Sequence, residues 1–192
     1  RGRVSCLTEM RDTMGLTLLA QGADPEKFTD AEWQKAIEAL RKARHDGQIR
    51  AFTGNDYVQD LSAGNILAAV AWSGDIAAAE DEDLVFVAPE EGPMIWADNM
   101  LVPNLATHQG NAEKWINYYY EPEVAARVAD YVWYICPVKG AQEAMEKVNP
   151  DNVENKLIFP DEELLASTHT FMALKEYQIR AYEGDFADVT SG

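Results

Sequence analysis

Residues 66–98, ILAAVAWSGDIAAAEDEDLVFVAPEEGPMIWAD, decide how this chain is read. The run ILAAVAW is expected to be a buried strand ending in Trp72-Ser73-Gly74-Asp75, with the acidic run Glu80-Asp81-Glu82-Asp83 behind it. LVFVAP reads as a second strand, after which the chain passes through Glu90-Glu91-Gly92-Pro93-Met94-Ile95 to Trp96-Ala97-Asp98. Each apolar stretch therefore reaches a tryptophan with an aspartate close behind it. An indole offers a negative π-face and a carboxylate offers a charge-assisted acceptor, a combination suited to an organic cation. A single cation–π contact contributes only about 0.5–2 kcal/mol. One tryptophan would not make a site, but two Trp–Asp pairs converging on one cleft would. Trp72 and Trp96 read equally well as core residues that close their strands, because tryptophan is well buried on average.

On the N-terminal side of this stretch, strand and helix signals alternate with short loops, which argues for a parallel or mixed sheet covered by helices. Val4 to Thr8 reads as a strand, and Glu9-Met10-Arg11-Asp12 as the turn into a helix with Met14, Leu16, Leu18 and Leu19 on its buried face, ended at Gln21-Gly22. Thr29 and Glu32 have capping-box spacing. The helix they open carries Trp33, Ile37 and Leu40 at helical spacing and a basic last turn, Arg41-Lys42-Ala43-Arg44, which suits the negative end of the helix dipole. Gln48 to Thr53 reads as a strand and Gly54-Asn55-Asp56-Tyr57 as the entry to a short helix. On the C-terminal side, Met100 to Pro103 reads as a strand. Residues 111–120 and 123–133 form a helix pair whose second member starts at Pro122, where proline is tolerated. Tyr134 to Pro137 is extended, Lys139 to Lys147 helical, 149–152 a linker-like turn, Phe159 to Glu163 the opening of another helix, and Met172 to Tyr182 the last one.

The chain has 192 residues, 47% apolar and 10% aromatic, enough for a sizeable core in one α/β domain or two small lobes. Its 16 basic residues against 33 acidic ones give a net charge of −17. That balance repels phosphate backbones and anionic headgroups and concentrates cations, so nucleic acid is not an expected partner. The same acidity also reads as a simple device for solubility. No apolar run is long enough to span a bilayer. The chain opens Arg1-Gly2-Arg3 without a methionine or signal peptide, and is expected to be a processed mature form or an excised fragment. Cys6 and Cys136 lack zinc spacing, and a disulfide between them stays open.

Signals for catalysis are weak. His45, His108 and His169 are scattered, with no metal-binding spacing, so no metal and no cofactor are expected. Ser73 lies in W-S-G-D, which lacks the flanking glycines of a nucleophile elbow. A small hydrolase using Ser73 is the alternative of a different class. Glu9 and Asp12 stand nearly one helical turn apart and can face the same way. They suit the positive end of a helix dipole, and equally the capture of an ammonium group. Asp98 is needed by no cap or turn. Tyr134 reads as either a packed core tyrosine or a site residue.

Taken together, I-x-A-F-T-G-N-D-Y (49–57), A-W-S-G-D (71–75), E-E-G-P-M-I-W-A-D-N-M-x-V-P (90–103) and E-P-E-V-A-A-x-V-A-x-Y-x-x-Y (121–134) resemble the spermidine/putrescine-binding proteins of ABC importers. The likeness runs from about Arg3 to Gly184. It implies an α/β periplasmic-binding-protein fold of two lobes, each a mixed sheet flanked by helices. The ligand would be a polyamine such as putrescine or spermidine and the partner an importer permease. The protein would sit in the periplasm or at the outer face of the membrane, held at the surface or lipid-anchored, with no enzymatic activity. By resemblance, Trp72, Trp96 and Tyr134 would cover the methylene chain, while Asp98, Glu9 and Asp12 would take the amino groups. The glutamine that some members use near the C-terminus has no counterpart between Leu164 and His169. Residues 1–96 would be the first part of lobe two, 97–138 a returning segment of lobe one, and 139–192 the rest of lobe two, with the upstream half of lobe one absent. Such a returning segment would expose apolar residues, among them Trp115, Ile116 and Tyr118. The same fold holding another cationic or small organic solute is the nearer alternative.

Overall fold

Short strands with their carboxyl ends aligned organise the first half of the chain in the computed structural model, which describes residues 1–191. The order is β1 (Val4–Leu7), α1 (Met10–Ala20), α2 (Asp30–His45), β2 (Ile49–Thr53), α3 (Tyr57–Ser62), β3 (Ala68–Ala69) and α4 (Ser73–Ala78). The strands lie in the order β2-β1-β3, and both pairings are parallel. The chain moves from β1 to β2 on one side, then crosses to β3 on the other. The connections that follow β1 and β3 therefore diverge, which leaves a crevice at the carboxyl ends of those two strands.

Both sheet faces are covered. On one, α1, α2 and the last helix, α9 (Glu176–Ser191), bury Met14, Leu18, Trp33, Ile37, Leu40, Tyr182 and Phe186 against Phe52 of β2. On the other, Leu7 packs with Tyr57, Ile66 and Ile76. The expected capping box opens α2, with the Glu32 N–H donating to Thr29 Oγ1 at 3.3 Å and the Thr29 N–H to Glu32 Oε2 at 2.7 Å. The Thr13 hydroxyl donates to the Leu7 carbonyl at 2.8 Å, tying the first turn of α1 back to β1.

Three expected strands differ. Of 66–72, only Ala68–Ala69 is laddered. Residues 84–89 show the anticipated alternation, Leu84 and Phe86 inward with Val85 77% and Val87 74% exposed, but among the described residues they have no ladder partner. Met100 to Pro103 is also outside any strand, with Leu101 84% exposed. The last helix begins at Glu176 rather than Met172, because the Lys175 N–H donates to Gln178 Oε1 at 3.1 Å and so caps the helix there. Cys6 and Cys136 are both free thiols. Burial pushes the Cys6 thiol up to about 11.

The chain divides into two units, Arg1–Trp96 with Ser167–Gly192, and Ala97–Ala166. In the second, α5 (Gln109–Tyr119), α6 (Pro122–Val132), α7 (Ala141–Val148), a 3-10 turn (Pro150–Asn152) and α8 (Glu162–Ser167) follow one another, α8 ending at the unit boundary. Small residues bring α6 and α7 together: Ala125, Ala126, Ala129, Ala141 and Ala144 surround Met145 and Ile158. The Asp130 carboxylate accepts from Asn149 and Asn152 at 2.8 Å each and fastens the turn to α6. The sequence reading ended this segment at 138, whereas α7, Ile158 and Phe159 share a core cluster with α6 and the unit extends to Ala166. No residue of α5 is buried; Trp115 is 68% and Tyr118 61% exposed, and Ile116 is half-buried.

Candidate functional site at the carboxyl edge of the sheet

β1 delivers its carboxyl end to Glu9, the N-cap of α1, and places Asp12 in that helix's first turn. β3 delivers its own to Trp72, the extended N-cap of α4 (φ −90°, ψ 138°). The two meet in the crevice between the diverging connections, where the Trp72 indole Nε1–H donates to Asp12 Oδ2 at 2.9 Å. The adjacent Asp75, expected to pair with Trp72, instead accepts from Tyr57 and Asn55. Burial holds the Asp12 carboxyl above the usual carboxylate range; the Trp72 N–H opposes that shift and the neighbouring Glu9 charge adds to it. A desolvated carboxylate with one indole bond keeps lone pairs free for a cation, and an ammonium there would relieve both the desolvation and the repulsion from Glu9.

Asp12 and Trp72 line a cleft of about 460 Å³. Its remaining wall is mostly apolar, including Leu16, Ala69, Leu84 and Phe86, and it also carries Trp96. Trp96 is 48% exposed and stands on a firmly tied segment. The His169 N–H donates to the Pro93 carbonyl at 2.9 Å, and the Ile95 N–H donates to the His169 carbonyl at 2.8 Å. Gly92 has φ +99°, and a Cβ there would lie 2.0 Å from the Ser167 carbonyl oxygen. Met94 packs so closely on α1 that a Cβ at Gly15 would fall 2.6 Å from its side chain.

Glu9, Asp12, Trp72 and Trp96 thus share the first unit. Asp98 and Tyr134 belong to the second, Asp98 exposed and Tyr134 half-buried just past Trp133, which ends α6 in the left-handed region at φ 60°. The sequence reading missed Asp83, an exposed carboxylate on the cleft wall, and Phe86 beside it. The acidic run before an alternating apolar segment was the available signal. Ser73 is the first residue of α4. Among the described residues no group of three His, Cys, Asp or Glu side chains is placed to hold a metal ion, and no helix is long and apolar enough to cross a membrane. An acid, an indole and an aliphatic wall together fit a solute with a cationic end and a hydrocarbon body.

Comparison with known proteins points the same way. Residues 1–159 match the family described as bacterial extracellular solute-binding protein. The spermidine/putrescine-binding periplasmic protein 1 of Haemophilus influenzae is 27% identical over 169 residues, covering 87% of this chain and 46% of the relative. A putrescine/agmatine-binding protein of Pseudomonas aeruginosa is 29% identical over 172 residues, covering 85% and 46%. This chain accordingly spans about half the length of the curated relatives it matches. Among solved structures, a Listeria monocytogenes protein assigned to spermidine/putrescine ABC transport superposes with a TM-score of 0.86 at 27% identity, over 98% of this chain and 57% of that one. The fold is also that of the PotD substrate-binding protein of Streptococcus pneumoniae, with a TM-score of 0.80 at 23% identity, over 100% of this chain and 58% of that one.

Proposed function

We propose, from the premise that this chain belongs to the bacterial extracellular solute-binding protein family, that its protein captures a linear polyamine for an ABC importer. The observation that carries this reading is the Trp72–Asp12 bond of 2.9 Å at the mouth of a largely apolar cleft. Asp12, with Glu9 beside it, exchanges water for an ammonium group. Trp72 and Trp96 cover the methylenes. Capture needs no bond-making step, and the importer's permease takes the solute at the outer face of the membrane. Residues 1–96 with 167–192 are assigned to lobe two and 97–166 to the returning segment of lobe one. The relatives that bind putrescine, spermidine or agmatine by name support this ligand class.

Isothermal titration of the intact protein with putrescine and spermidine tests the reading. Binding is expected, and Trp72→Ala should weaken it about 10- to 100-fold by removing both the ring and the hydrogen bond that orients Asp12. Absence of heat with either polyamine, with heat on adding a different cationic solute, would transfer the assignment to that solute. The carboxylate–indole pair recognises an ammonium group without measuring the chain attached to it.

A further inference from the structure

The motif 49–57 ends in Tyr57, a residue the binding scheme does not use. It opens α3 and is 1% exposed, its ring packed with Leu7, Ile66 and Ile76. Its hydroxyl does two things. It donates to Asp75 Oδ2 at 2.6 Å, and it accepts the Trp72 main-chain N–H at 3.0 Å. The Asn55 side-chain amide donates to the same Asp75 oxygen at 2.9 Å. Asp75 lies in the first turn of α4, and its carboxylate accepts from both Tyr57 and Asn55. A carboxylate only accepts, so it fixes the polarity of the tyrosine hydroxyl: the proton points at Asp75, leaving lone pairs for Trp72. Trp72 is thereby held at two points, its main chain by Tyr57 and its indole by Asp12.

We propose that Tyr57, oriented by Asp75 and Asn55, is the positioning residue that sets the Trp72 ring and, through the indole N–H, the Asp12 carboxylate. A tryptophan tied only through its indole can shift with the strand-to-helix turn that carries it. Fixing the main-chain N–H as well removes that freedom before any ligand arrives, which lowers the ordering cost of binding. The ligand arm of this proposal rests on the polyamine reading; the geometric arm does not.

The test follows the tryptophan indole N–H signals of the intact ¹⁵N-labelled protein by NMR, with the Trp72 signal assigned by its loss in Trp72→Phe. Trp33 is the internal control, because its indole donates to Asp185 at 2.9 Å away from this network. Tyr57→Phe and Asp75→Ala are expected to speed solvent exchange of the Trp72 indole proton about tenfold and weaken putrescine binding about three- to tenfold, with Trp33 unchanged. Asp75→Asn keeps an acceptor oxygen for Tyr57 and is expected to restore both readouts. Unchanged Trp72 exchange in Tyr57→Phe overturns the proposal, and so does equal acceleration at Trp33 and Trp72, which would mark general destabilisation. Should Tyr57→Phe fail to fold, the contrast between Asp75→Ala and Asp75→Asn decides in the same way. If the unmutated protein binds no polyamine, the functional reading falls while the indole exchange still decides the role of Tyr57.

Discussion

Asp12 is the residue whose protonation connects the fold to the site. Burial raises its pKa in the folded chain, so across the window between the ordinary carboxylate value and the raised one the native state keeps a proton that the unfolded state has released. Its contribution therefore favours the fold at low pH and is lost as pH climbs through that window; at neutral pH Asp12 is a destabilising group. Asp12→Asn keeps an oxygen acceptor for the Trp72 indole but removes the charge. Thermal melts are expected to show this variant more stable than the parent at pH 7, with the difference vanishing below about pH 4, while titration shows polyamine binding abolished. A parent protein as stable as the variant at pH 7 would show that burial of Asp12 costs nothing. The Glu9/Asp12 spacing made this residue a candidate from sequence. Its true partner was not legible, because Asp12 and Trp72 lie 60 positions apart and only parallel pairing of β1 with β3 brings them together. Adjacency suggested Asp75, which the fold turns toward Tyr57 instead.

Where an element's signals are local, sequence is a sufficient guide, and α2 shows why. Thr29, Glu32, Trp33, Ile37 and Leu40 encode start, face and register within the helix itself, and each does what its position implies. Residues 84–89 had an equally clear alternation, but a strand also needs a neighbour, and that partner is not written in the segment. The start of α9 hid in a single Gln178 cap, and the chemistry that docks the helix lies far off in the chain. Tyr182 stacks on Trp33 at 4.1 Å with the planes 16° apart, its hydroxyl donates to Asp30, and the Trp33 indole donates to Asp185. Burial, reinforced by the hydrogen bond to Asp30, pushes the Tyr182 phenol up to about 12. The ring should matter more to α9 than the hydroxyl. Tyr182→Ala is expected to cost about 3–5 kcal/mol in chemical denaturation, and Tyr182→Phe about 1 kcal/mol. Equal losses for the two would place the stabilisation in the hydroxyl bond rather than in the stack.

At the scale of the whole molecule the question is whether the net charge of −17 serves binding or only solubility. The carboxylates are not gathered at the cleft alone; Glu80 to Asp83, Glu90, Glu91 and the acidic turn of α9 lie in the first unit and the acidic turn of α8 in the second. A field of that kind acts at distances beyond hydrogen bonding, drawing a polycation toward the protein before any contact forms. Ionic screening separates the two roles, because the Debye length shrinks from about 30 Å at 0.01 M salt to about 8 Å at 0.15 M. If the charge steers the ligand, raising salt across that range should slow the association of spermidine about tenfold and that of the shorter, less charged putrescine by less. Dissociation, which the proposed contacts of Asp12 and the aromatic rings would govern at short range, should change little. Stopped-flow tryptophan fluorescence reads both rates, since Trp72 and Trp96 line the cleft. An association rate indifferent to salt would assign the acidity to solubility and leave recognition to the local pair of Asp12 and Trp72.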